Sequence, residues 1–219
     1  MFSQIYSSEG EFEEIGVQNI LNATYAGLYS DTYITPCRNV NNTCKNGLTS
    51  GRDQAIEILN RLANDNILAF LALKIQEYKN WPKDQVANQQ FILDFTNTIW
   101  EAYNNETFNS GVAIVTSYND WINIVGPSWT GASGMDLDWV YWNGKQDLTT
   151  GWVPFGGWTA PCFHQYAGNI VTNNCTGGVP INYYYYGNCY CTDAVCYNEF
   201  HKRRMITFRN RTQKFARYH

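Results

Sequence analysis

Two stretches set the terms for how this chain can fold. Ile67–Gln76 is an almost unbroken apolar run, and Gly111–Ser117 (G-V-A-I-V-T-S) is a second. Between them, Asp84 caps a predicted helix to about Tyr103, with Phe91, Ile92, Phe95, Ile99 and Ala102 as its apolar stripe. A strand that is apolar on both sides must be buried on both sides, as parallel strands joined by crossover helices are. The rest of the chain repeats the alternation. Strands are predicted at Phe2–Tyr6, Thr32–Thr35, Leu137–Tyr141, Phe163–Tyr166 and Ile181–Tyr186. Helices are predicted over Glu14–Gly27, with Ile15, Ile20, Ala23 and Leu28 inward, from a Ser50 cap to Asn64, with Ile56, Leu59, Leu62 and Ala63 inward, and over Asn119–Val125. The expected class is α/β, a mainly parallel sheet or barrel. Chemistry in such folds gathers at the C-terminal ends of the strands.

Charge divides the chain in two. After Tyr186 there are seven Lys/Arg against two Asp/Glu, and before it eight against seventeen. Residues 1–186 read as one acidic domain and 187–219 as a basic, solvated, Cys-containing tail. The acidic body argues against nucleic acid as a partner, and there is no apolar run of about 18 residues to span a membrane. No glycine-rich phosphate loop occurs, and no cofactor is implied. Cys37 and Cys44 flank one short polar loop and Cys162 and Cys175 another, a placement suited to structural disulfides and lacking the C-x-x-C spacing of zinc sites. Cys189, Cys191 and Cys196 remain in the tail. Glycosylation sequons at Asn22, Asn41, Asn105, Asn174 and Asn210 agree with a secreted or lumenal glycoprotein. Met1–Phe12 carries no charged n-region or long apolar h-region, so no signal peptide is expected in this chain.

The segment L-A-L-K-I-Q-E-Y-K-N-W-P (71–82) ends an apolar strand in polar side chains. Alternation puts Lys74 and Gln76 on one face, and Ile75 and Glu77 on the other.

Several segments together resemble glycoside hydrolase family 25 lysozymes, closest to the Entamoeba-type branch of amoebae and nematodes. They are V-Q-N-I-L-N-A-T-Y-A-G (17–27), D-T-Y-I-T-P-C (31–37), A-N-Q-Q-F (87–91), G-V-A-I-V-T-S-Y-N-D-W (111–121), P-F-G-G-W-T-A-P (154–161), H-Q-Y-A-G (164–168) and V-P-I-N-Y-Y (179–184). The resemblance implies an irregular TIM-like (β/α) barrel that cleaves the β-1,4 bond after N-acetylmuramic acid in peptidoglycan, in a secretory or phagosome-like compartment. The family carries its catalytic pair on a D-x-E motif five residues before a Trp. Counting back from Trp81 puts that Glu on Gln76 and that Asp on Lys74. Gln has no titratable proton, and Lys brings a positive charge where the transition state needs a negative one. Glu77 could replace them only if a bulge turned it inward. The family's first strand and its Asp have no counterpart here, its closing D-[LI]-N reads Pro180-Ile181-Asn182, and an expected Tyr is Val115.

What the family pattern leaves is sugar-facing equipment: Trp139, Tyr141, Trp142, Trp158 and Tyr166 as cleft aromatics, Gln165 as a hydrogen-bonding group, and Asp138 as a new carboxylate. The expectation is a lysozyme-like pseudoenzyme that keeps a cleft for peptidoglycan or another N-acetylated amino-sugar glycan. The alternatives are an active muramidase using Glu77 or Asp138, and a non-catalytic assembly protein acting through its tail.

Overall fold

The computed structural model describes residues 2–28, 30–41, 43–67, 69–104, 111–171 and 180–187. Seven strands lie in one sheet in chain order: β1 (Phe2–Tyr6), β2 (Asp31–Ile34), β3 (Phe70–Lys74), β4 (Val112–Thr116), β5 (Asp136–Val140), β6 (Phe163–Val171) and β7 (Pro180–Tyr186). β1 through β6 are parallel and β7 returns antiparallel to β6. Helices α1 (Glu14–Tyr25), α2 (Gly51–Asn64), α3 (Gln85–Asn104) and α4 (Tyr118–Ile124) follow β1 to β4 in turn. β6 runs past the predicted Tyr166 to Val171, because β7 supplies a ladder partner that the exposed, polar end of β6 does not advertise in its own pattern.

The sheet is curled. In a flat sheet of seven strands at about 4.8 Å spacing, β1 and β7 would stand about 29 Å apart. Here the rings of Phe2 on β1 and Tyr184 on β7 are 5.3 Å apart, and those of Tyr33 on β2 and Tyr184 are 6.2 Å apart. The result is a mixed α/β half-barrel with a convex and a concave face. The main apolar core lies on the convex side, where Ile34, Leu71, Leu73, Ile75, Val112, Ile114 and Leu137 meet Ile58, Leu62, Phe91, Phe95 and Ile99 from the helices. Tyr33, Ala72 and Val115, flanked by Phe2, Val140 and Tyr184, form a small separate cluster on the concave side.

Two helices present a face different from the one their pattern predicts. Ile15 and Leu28 are exposed around α1, and Gly16, Val17, Ile20 and Ala23 are buried. Gly16 decides this: a Cβ there would sit 1.6 Å from the Gln4 carbonyl oxygen, so only glycine lets α1 lie directly on β1. In α2, Ile56 and Ala63 face out while Ala55, Ile58 and Leu62 face in. Ser50 caps α2 as expected, accepting a hydrogen bond from the Asp53 amide.

Cys37 and Cys44 form the expected disulfide, with Cα atoms 5.9 Å apart. Cys162 is also disulfide-bonded; its expected partner Cys175, the three tail cysteines and the tail itself lie outside the described residues. No helix among the described residues is long and apolar enough to cross a membrane.

Candidate functional site

The C-terminal end of β3 is where the sequence places the motif positions, and local bonding holds it firmly. Ile75 donates its amide to the Val115 carbonyl at 2.9 Å, and Thr116 Oγ1 donates to the Ile75 carbonyl at 2.6 Å. The Gln76 carbonyl accepts from Trp81 Nε1 at 2.9 Å, which ties the start of the turn to its end. The Tyr78 amide donates to Asp120 Oδ1 at 3.0 Å, and Asp120 is itself locked by the Ser117 cap of α4. The turn therefore rests on the next βα unit.

Lys74 is the last residue of β3 and shares the concave side with Ala72, while Leu73 and Ile75 enter the convex core. Burial lowers the pKa of its ammonium, an effect the nearby Glu77 charge opposes. Among the described residues Lys74 forms no ion pair: the bridges are Lys45–Glu11, Arg52–Glu101, Arg61–Glu14 and Arg61–Asp65. Gln76 follows on the same side, half-buried. Glu77 is exposed, with left-handed backbone (φ +57°), and its carboxylate accepts from Asn80 Nδ2 at 2.8 Å. The β3–β4 register is unbroken from Leu71 to Lys74, and Glu77 lies beyond its end. It stands at the rim.

Asp138 lies deeper. Lys74 pairs with Val115 and Val115 with Asp138, so the acid and the cation occupy one level of the face, two strands or about 10 Å apart. Asp138 is 2% exposed, and burial pushes its pKa up to about 8, against the opposing effect of a hydrogen bond from Tyr33. That bond runs from Tyr33 Oη to Oδ2 at 3.2 Å, while Oδ1 has no hydrogen-bond partner among the described residues. Tyr33 Oη also meets Tyr184 Oη, which accepts from Gln165 Nε2. Gln165 Oε1 in turn accepts from Trp142 Nε1 at 2.8 Å. A continuous chain thus leads from the exposed Trp142 through Gln165, Tyr184 and Tyr33 to the buried acid. Phe2 stacks on Tyr33 at 5.0 Å and helps to close the space over it.

Strand parity sorts the expected aromatics. Asp138, Val140 and Trp142 fall on one side, Trp139 and Tyr141 on the other. Trp139 is buried in the convex core, sandwiched by His164 at 4.2 Å and Tyr141 at 5.3 Å. Trp158 is likewise core, edge-on to Trp121 at 4.8 Å and donating to the Met135 carbonyl at 2.7 Å. Tyr166 packs against Tyr183 and His164, opposite in parity to Gln165. Tyr141 is exposed at the rim on Trp139. Trp139, Trp158 and Tyr166 therefore stand off the concave face, whereas Lys74, Gln76, Asp138, Gln165 and Trp142 share it. Tyr33 and Tyr184 complete the group and were missed. Nothing local in D-T-Y-I marks a tyrosine that bonds an acid more than a hundred residues away, and nothing in I-N-Y-Y marks one that reaches that acid through it.

Well below pH 8 this face offers a cation, two amides, two hydroxyls, a neutral acid and one exposed indole. Among the described residues, no cluster of three or more His, Cys, Asp or Glu could hold a metal ion.

A family model described as lysozyme-like protein 1 matches residues 1–166. "Lysozyme-like protein 5" of Caenorhabditis elegans is 34% identical over 184 residues, covering 82% of this chain and 78% of that one. "Probable GH family 25 lysozyme 4" of Dictyostelium discoideum is 29% identical over 180 residues, covering 82% and 76%. The chain belongs to the lysozyme-like proteins of glycoside hydrolase family 25. Its membership extends to the fold: a family GH25 lysozyme from Aspergillus fumigatus superposes with a TM-score of 0.55 at 16% identity, over 77% of this chain and 74% of that one. The resemblance read from the collinear segments is thus the correct family, and the curled sheet is a framework that family members share.

Proposed function

We propose that this family 25 chain binds N-acetylated amino-sugar glycans, peptidoglycan above all, along its concave face and hydrolyses them poorly or not at all. Lys74 carries the reading: a desolvated cation, with no ion-pair partner among the described residues, stands at the strand end where the family motif calls for a carboxylate. A unit charge about 4 Å from a developing oxocarbenium ion costs about 4 kcal/mol at an effective dielectric of about 20. That is roughly a thousandfold in rate. Gln76 supplies no proton, and the Glu77 carboxylate is exposed and engaged by Asn80. The Cys37–Cys44 disulfide supports a secreted or lumenal setting, and the exposed Asn41 beside it is a candidate glycosylation site.

The test is release of reducing ends from purified peptidoglycan. The natural chain is expected to show binding in a pull-down with negligible turnover, and K74D/Q76E to gain turnover. Family-like turnover by the natural chain overturns the reading.

A second reading has one observation behind it. A carboxyl held protonated to about pH 8 is what a general acid needs, and Asp138 is one. Its oxygens are sealed beneath Tyr33 and Tyr184, which weighs against direct contact with a sugar. Turnover that disappears in D138N or E77Q would favour this second reading.

A further inference from the structure

Lys74 is more than a missing carboxylate. It ends a strand whose alternate side chains are committed to the convex core, so its own side chain can only serve the concave face. The ammonium is partly desolvated, and the one charge that acts on it, Glu77, is hydrogen-bonded to Asn80 at the rim. A half-buried ammonium without a close counter-ion is unfavourable, and an anion delivered by a ligand relieves that cost. Its neighbour at the same level does not compete for that role. Asp138, its pKa pushed up to about 8 by burial, is mainly protonated at neutral pH and engaged with Tyr33.

The same face carries a second fixed feature. Trp142 is 51% exposed, yet its indole is not free to swing. Nε1 is held by Gln165, and the ring lies so close over Gly168 that a Cβ there would come within 2.2 Å of it. An aromatic plane fixed in advance suits the CH face of a pyranose at little entropic cost. Trp142 lies four residues along the chain from Asp138, and Lys74 two strands across from Asp138. The two contacts therefore fall on different residues of one extended ligand.

Resting on the glycan-binding reading above, we propose that Lys74 makes this face selective for amino-sugar chains that carry a carboxylate, with the ligand bringing the negative charge that relatives carry on the protein. The carboxylate is either the free lactyl group of a muramyl residue that carries no peptide or the ring carboxylate of a hexuronic acid that alternates with an N-acetylated amino sugar.

Calorimetric titration of the full chain with three tetrasaccharides tests this: neutral N-acetylglucosamine, a peptide-free muramyl-containing peptidoglycan fragment with its lactyl carboxylates free, and alternating glucuronate and N-acetylglucosamine. At least one charged ligand is expected to bind about tenfold tighter than the neutral one, and which one does so identifies the source of the carboxylate. K74M should bind charged and neutral ligands alike, and K74R should keep the preference. Equal binding of all three by the natural chain, or a preference that survives K74M, overturns the inference and leaves glycan binding standing. Failure of all three to bind removes the glycan reading and this inference together.

Discussion

The two sides of β3 are one strand under two regimes. Leu71, Leu73 and Ile75 are fully buried against helices and do nothing but pack. Ala72, Lys74 and Gln76, one residue out of phase, face the inside of the curl, where a cation with no ion pair among the described residues stands two strands from a buried acid. The convex side is what a parallel sheet needs in order to exist. The concave side carries polar and charged groups at an energetic cost, which is the usual mark of a surface kept for a ligand.

The sharpest way to test this contrast is through Asp138. The unfolded chain releases this proton near pH 4 and the folded chain near pH 8, so between those values the folded state holds the extra proton. Stability therefore falls as pH rises across this window. Urea unfolding is expected to show the natural chain losing up to about 4 kcal/mol relative to D138N between pH 5 and pH 8. Parallel pH profiles for the two would show that Asp138 is not buried as a neutral acid.

On the convex side, L73A should cost about 3 kcal/mol at any pH, because it leaves a cavity in a dry core. The same assay checks it, and a loss below 1 kcal/mol would mean that the helices collapse onto the gap. A smaller effect separates site scaffolding from site chemistry. Ser117 Oγ accepts from the Asp120 amide at 3.0 Å, and Asp120 in turn holds the Tyr78 amide. S117A should lose about 1 kcal/mol of stability, together with weakened glycan binding as the Lys74–Trp81 turn loosens. The smallest effect belongs to the surface. Arg61 reaches Glu14 at 2.6 Å, but the pair is solvent-exposed, so E14Q should change stability by less than about 0.5 kcal/mol, and less still in high salt.

Much of this molecule is legible without coordinates. The apolar runs that became β3 and β4, the cap at Ser50 and the Cys37–Cys44 loop are local features, and local rules read them. So is the alternation that sets Lys74 and Gln76 apart from Ile75. The misreadings share one cause. Ile15, Leu28 and Ile56 look like core by hydrophobicity, but which stripe of a helix is inward depends on what it docks against, and for α1 that was settled by Gly16 on the Gln4 carbonyl. Trp139 and Trp158 look like cleft residues by type, but parity on β5 sends Trp139 into the outer core, and Trp158, in the loop before β6, packs there against Trp121.

By itself, the sequence determined that strands would alternate with helices, that they would pair in parallel, and that a cation and an amide would stand at the end of β3 and just past it. Those outcomes follow from burial and from side-chain chemistry within a few residues. Only the tertiary structure decided that Tyr33, Asp138, Gln165, Tyr184 and Trp142 form one hydrogen-bonded chain. Curling the sheet brings β2 and β7 together across a space that no local preference encodes, and whether a buried acid keeps its proton depends on what closes over it.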